Sequence, residues 1–105
     1  MTVRDTLYIG GSWVAPSDPD LLLEILSPHD QSVLGRVAQA APADVDAAVA
    51  AAREAFDYGP WPRTTPEERQ EVVRRYEALR AARADEIAAA ISAENGSAAN
   101  RISRA

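Results

Sequence analysis

Few residues in this sequence belong to types that do chemistry near neutral pH. There is one histidine and no cysteine in 105 residues, so thiolate nucleophiles, zinc–thiolate centres and disulfides are excluded at once. Glu94 is the most informative candidate. It lies seven positions after Ile87 and three after Ile91, so it continues an apolar stripe. It also falls in a last helical turn, where the macrodipole disfavours a carboxylate. A charge under two local penalties calls for an arginine, an array of backbone donors or a metal cation. The alternative is a carboxylate that swings into solvent at a frayed helix end, and the residue pattern by itself favours that alternative.

The other candidates are weaker. His29 follows Ser27-Pro28 in a turn with no second ligand at metal spacing, which describes an exposed turn residue. Gly10-Gly11 is not a phosphate loop, because no helix start follows it. Arg63, Arg69, Arg74, Arg75, Arg80 and Arg83 are interleaved with Glu67, Glu68, Glu71 and Glu77, the pattern of a salt-laced solvated face rather than an RNA-binding helix. Trp13 and Trp61 read as core anchors, not stacking platforms. No Ser/His/Asp set is available. The residues alone assemble no active site.

Composition narrows the classes further. The chain is 47% hydrophobic and 26% charged, ordinary globular usage. The net charge of −5 argues against nucleic acid or an anionic membrane as the main partner. No window approaches the roughly 18 apolar residues of a spanning helix, and the start MTVRDTLYIGG lacks the features of a signal peptide. A soluble, cytoplasmic chain with neither nucleic-acid nor membrane partner is expected.

The elements follow from local signals. Met1–Thr6 reads as a polar lead-in. Gly10-Gly11 between Leu7-Tyr8-Ile9 and Ser12-Trp13-Val14 predicts a two-residue hairpin. Leu21–Leu26 and Val33–Ala38, joined through Ser27-Pro28-His29-Asp30, predict a second one. Pro42 at a first helical position, Asp44 and Asp46 in the first turn, and Val45, Ala48, Val49, Ala52 and Phe56 on one face predict a helix over 42–58. Gly59-Pro60 stops it, and Trp61 follows as a large side chain that must be buried. Thr65-Pro66-Glu67-Glu68 is a capping box opening a helix over 66–83. Val72, Val73, Tyr76 and Leu79 are expected inward, with Glu71 and Arg75 paired on the surface. A third helix spans 85–95, with Ile87, Ala90 and Ile91 inward, and Gly96 ends it. The tail SAANRISRA reads as the opening of a further element that is not completed.

Taken in order, these motifs resemble the N-terminal segment of the NAD(P)-dependent aldehyde dehydrogenase superfamily. The resemblance rests on the hairpin IGGSW, the helix DVDAAVAAAREAF, the following Trp61, the helix start PEER and the Glu94-Asn95-Gly96 stop, together about residues 7 to 96. Singly each is only a hairpin or an amphipathic helix; as an ordered set they are specific. Two positions depart from the family pattern. Ser27-Pro28-His29-Asp30-Gln31 stands where many members have Asn-Pro followed by Thr-Gly, and Ser97 stands where many have lysine.

The resemblance implies an α/β fold, two short β-hairpins followed by three α-helices, forming an incomplete part of a cofactor-binding domain over residues 1–105. It also implies an enzyme that oxidises an aldehyde to a carboxylic acid with NAD or NADP. In that family a cysteine thiolate attacks the aldehyde, hydride passes to the nicotinamide, and a glutamate activates the hydrolytic water. Those groups lie further along a chain of several hundred residues, so this chain is expected to be an inactive N-terminal fragment that binds no cofactor alone. Its expected partner is the remainder of the fold, in a family that is usually homo-oligomeric. The resemblance further implies a structural Na⁺ or K⁺ site held by the carbonyl of Ile25 (or Leu26) and by Glu94. A competing expectation is a free-standing interaction module that pairs through exposed strand edges at Leu7–Val14 and Leu21–Ala38.

Overall fold

A computed structural model describes residues 1–98. The strands are β1 (Thr2–Arg4), β2 (Leu7–Ile9), β3 (Ser12–Val14), β4 (Leu22–Leu26) and β5 (Val33–Ala38). The helices are α1 (Pro42–Tyr58), a 3₁₀ turn at Trp61–Arg63, α2 (Pro66–Ala82) and α3 (Ala84–Asn95). This is the α/β class expected, with both hairpins and all three helices present. The tail reading at 97–105 falls mostly outside the described residues.

The chain divides into two compact units. The first comprises Met1–Leu26 and Val33–Pro62. Within it, Gly10 and Gly11 take φ of 61° and 84°. Two consecutive left-handed residues are what a tight hairpin with the right twist requires, and glycine adopts them without a Cβ penalty. Leu7, Ile9 and Val14 are half-buried, while Tyr8 and Trp13 face out. Those two rings form an edge-to-face pair with centroids 5.1 Å apart, so Trp13 is not a core anchor in this chain; it is 71% exposed.

The second hairpin, β4–β5, is antiparallel, and its Glu24 and Arg36 face each other across the ladder in a 3.0 Å ion pair. The register slips between Ile25 and Leu26, which pair with Gly35 and Val33. β5 also pairs on its other side with β1, in parallel. The Met1–Thr6 lead-in is therefore corrected: Thr2–Arg4 is a strand, and the sheet order is β1-β5-β4. Gly35 permits this, because a Cβ there would stand 2.5 Å from the Thr2 carbonyl oxygen.

The second unit comprises Ser27–Ser32 and the chain from Arg63. Ser27–Ser32 closes on itself: Ser27 N–H donates to Ser32 O at 2.8 Å, and Gln31, at φ 64°, donates to Ser27 O at 2.9 Å. α2 opens with the expected capping box. Glu68 N–H donates to Thr65 Oγ1 at 3.2 Å, and Thr65 N–H donates to Glu68 Oε2 at 2.7 Å. On its surface Glu71 pairs with Arg74, not Arg75 as expected, because the three-residue spacing serves this rotamer as well as the four-residue one. Pairs Glu77–Arg80 and Arg83–Glu86 continue the salt-laced face.

One expectation fails throughout. Among the described residues no hydrophobic side chain is buried. Val72, Val73, Tyr76 and Leu79 of α2 are all exposed, Leu79 by 69%. Trp61 is 48% exposed. The apolar faces exist where the periodicity placed them, but their large side chains stay exposed among the described residues.

Candidate functional site

The most tightly built polar arrangement is at the start of α1. Ala41 is the N-cap and has no oxygen to offer the free N–H groups of the first turn. Asp44, at the third helical position, instead turns its carboxylate back. Asp44 Oδ2 accepts from Ala41 N–H and from Ser17 Oγ, and Asp44 Oδ1 accepts from Ser17 N–H, all at 2.9 Å. The side chain is buried, with 8% of the residue exposed. The Ala41 N–H, foremost, and then the two Ser17 donors hold its carboxyl below the usual aspartate range, against the opposing effect of burial. Sequence reading places Asp44 in a favourable first turn but misses Ser17. The signal available was only a serine in a Pro-rich loop, 27 positions earlier.

This clamp ties the segment after β3 to α1, over which the β2–β3 hairpin lies. A cleft of about 420 Å³ runs between them, lined by Leu7, Ile9, Val45, Ala48, Val49 and Ala52 among others. The small side chains of Ala48 and Ala51 let the hairpin approach: a Cβ on Gly10 would lie 3.8 Å from the Ala51 methyl. The cleft lining holds one titratable carboxylate, Asp44, which is already committed as a clamp. Its lining contains no histidine, serine or threonine, and Tyr8 supplies its one hydroxyl.

Of the expected cation ligands, Ile25 belongs to the first unit and Glu94 to the second. Ile25 is half-buried in β4, at the register slip, and bulges of this kind re-aim backbone groups. Glu94 is exposed in the last turn of α3. Gly96, at φ 75°, ends that helix and donates to Ser92 O at 3.0 Å. A Cβ at Gly96 would meet the Pro28 ring at 3.4 Å, so within the second unit the Glu-Asn-Gly stop packs on the Ser-Pro turn. Among the described residues no group of three or more histidine, aspartate or glutamate side chains could hold a metal ion. His29 is exposed, its N–H donating to Ser27 Oγ at 3.2 Å. No described helix is long and apolar enough to cross a membrane.

With this geometry in hand, comparison with known proteins is informative. The model of the aldehyde dehydrogenase family matches residues 13–104. The backbone superposes with a TM-score of 0.90 on an aldehyde dehydrogenase of Mycobacterium tuberculosis complexed with NAD⁺, at 44% identity, covering 96% of this chain and 21% of that one. Benzaldehyde dehydrogenase of Antirrhinum majus mitochondria is 37% identical over 92 residues, 88% of this chain and 17% of that protein. The human mitochondrial acylating methylmalonate-semialdehyde/malonate-semialdehyde dehydrogenase is 40% identical over 90 residues, 86% and 16%. The chain thus spans about a fifth or less of the length of the relatives it matches. It belongs to the aldehyde dehydrogenase family, whose N-terminal segment, in the NAD-binding domain, it matches in fold and in sequence.

Proposed function

We propose that this chain is a scaffold segment of an NAD(P)-dependent aldehyde-oxidising enzyme and carries no catalysis of its own. The observation that supports this most is a pairing. The backbone holds the family geometry over 96% of its length, while the sequence contains no cysteine and the described residues no buried hydrophobic side chain. The thiolate chemistry and the cofactor contacts belong to the remainder of the fold, which also covers the open faces of α1 and α2.

The segment does not select the aldehyde. Relatives named for benzaldehyde and for a methylmalonate semialdehyde, substrates of unlike size and charge, match it at 37% and 40% identity. A segment that read the substrate would separate them.

A structural Na⁺ or K⁺ site using the Ile25 carbonyl and the Glu94 carboxylate belongs to the same reading. Both are hard oxygen donors, the kind such a cation takes. The remaining oxygens would come from outside these residues.

The test is an assay of the purified chain with NAD⁺ and benzaldehyde, followed by NADH absorbance. No NADH above the protein-free blank is expected. NADH formation proportional to chain concentration would refute the scaffold reading.

A further inference from the structure

The sequence contains two asparagines, and one of them, Asn95, precedes a glycine. Both Asn95 and Gly96 are exposed. Asn95 is the last residue of α3, and Gly96 follows in the left-handed region at φ 75°. An Asn-Gly pair is chemically unstable, because glycine has no Cβ to obstruct its own nitrogen's approach to the asparagine side chain. Here both reacting groups are occupied. The Gly96 N–H donates to Ser92 O at 3.0 Å. Asn95 Oδ1 accepts from the Ser97 N–H at 2.8 Å. Ser92 holds the same turn a second time, since its hydroxyl donates to Ser97 O at 2.7 Å.

We propose that Asn95-Gly96 is a site of self-modification through a succinimide, and that Ser92 sets its rate by latching the end of α3. In the reaction the Gly96 nitrogen gives its proton to solvent and attacks Asn95 Cγ. The bond from Cγ to the side-chain amide nitrogen breaks, and that nitrogen leaves as ammonia after taking a proton back from solvent. The ring then takes up water and opens at either carbonyl, giving aspartate or isoaspartate. Only water is consumed, and nothing is oxidised or reduced. Ring closure requires the Asn95 backbone to leave the helical well, at a ψ of about −42°, and the Gly96 N–H to leave Ser92 O. Both happen only when the last turn opens, and helix ends open at low free-energy cost. The rate therefore follows the opening of that turn. The product places a second carboxylate beside Glu94 at the negative end of the helix, where the macrodipole disfavours it. Isoaspartate also lengthens the main chain just before Gly96, which packs on Pro28.

The experiment incubates the purified chain at mildly alkaline pH and follows aspartate and isoaspartate at position 95 by peptide mass mapping. In guanidinium chloride, where α3 is unfolded, the parent should react at least about threefold faster than in buffer. Ser92→Val and Ser92→Thr form a matched pair, alike in branching and in helix propensity, and only threonine keeps the hydroxyl donor. Ser92→Val should react about two- to tenfold faster than Ser92→Thr, the effect of losing one exposed hydrogen bond. Asn95→Gln, which would have to close a larger ring, should give almost no product. The proposal is overturned if the unfolded parent yields no product at position 95, or if the folded parent reacts as fast as the unfolded one. Equal rates for Ser92→Val and Ser92→Thr would equally overturn it. These outcomes read a modification of the chain itself, so they are independent of the NADH result above.

Discussion

Asp44 accepts hydrogen bonds from both the N–H and the hydroxyl of Ser17, 27 residues earlier, each at 2.9 Å. A third, from Ala41 N–H, makes the same carboxylate the substitute for a missing N-cap side chain. One side chain therefore starts α1 and anchors the loop that follows the first hairpin.

A pH dependence follows. The Asp44 carboxyl is held below the ordinary aspartate value of about 4. A group whose pKa is depressed by folding contributes stability above its unfolded pKa, and that contribution disappears as pH falls through the folded value. The amide protons of Ser17 and Ala41 should report this titration by NMR, with a midpoint below about 4. In Asp44→Asn both signals should lose the transition. A midpoint at or above the ordinary value would show that the clamp does not form.

Gly35→Ala tests the parallel pairing of β1. The added methyl would sit 2.5 Å from the Thr2 carbonyl oxygen, closer than any relaxed contact, and overpacking of this kind costs about 1–3 kcal/mol. Hydrogen exchange should show Thr2–Arg4 losing protection while the β4–β5 ladder keeps most of its own. Unchanged protection at Thr2–Arg4 would contradict the register.

Thr65→Ala removes the oxygen that accepts from Glu68 N–H. Loss of such a cap costs about 1 kcal/mol, so α2 should lose helicity at its first turn, seen in the chemical shifts of residues 66–69. Thr65→Ser should restore them.

Most of the local architecture was legible because its signals are local. Pro42, Thr65 with Glu68, and Gly10-Gly11 each fix a boundary through the backbone of their immediate neighbours, and α1 and α2 begin where they indicate. β1 was not legible. Thr-Val-Arg has one apolar residue and no turn signal, and it becomes a strand only by pairing with β5 some thirty positions later. The Ser17–Asp44 clamp escaped for the same reason. Burial was misjudged for a different one: Val45, Tyr76 and Trp61 announce that a surface is to be covered, but periodicity does not say by what. The Glu94 pattern by itself favoured a carboxylate in solvent, and Glu94 is exposed; the cation, with Ile25 as its companion ligand, came only from the family resemblance.

For that cation, the informative variant is Glu94→Gln within a longer dehydrogenase chain carrying this segment. Added Na⁺ or K⁺ should raise the thermal midpoint of the parent and raise that of the variant less. An equal response in both would remove Glu94 from the ion's ligands.

The account turns on the claim that these elements are finished by protein outside them. Differential scanning calorimetry of the isolated chain as a monomer measures this directly. A self-contained domain of this size unfolds in one cooperative peak of roughly 60–80 kcal/mol. With no buried hydrophobic side chain among the described residues, a broad, shallow transition well below that enthalpy is the expected result. A sharp two-state peak of the full size would contradict it.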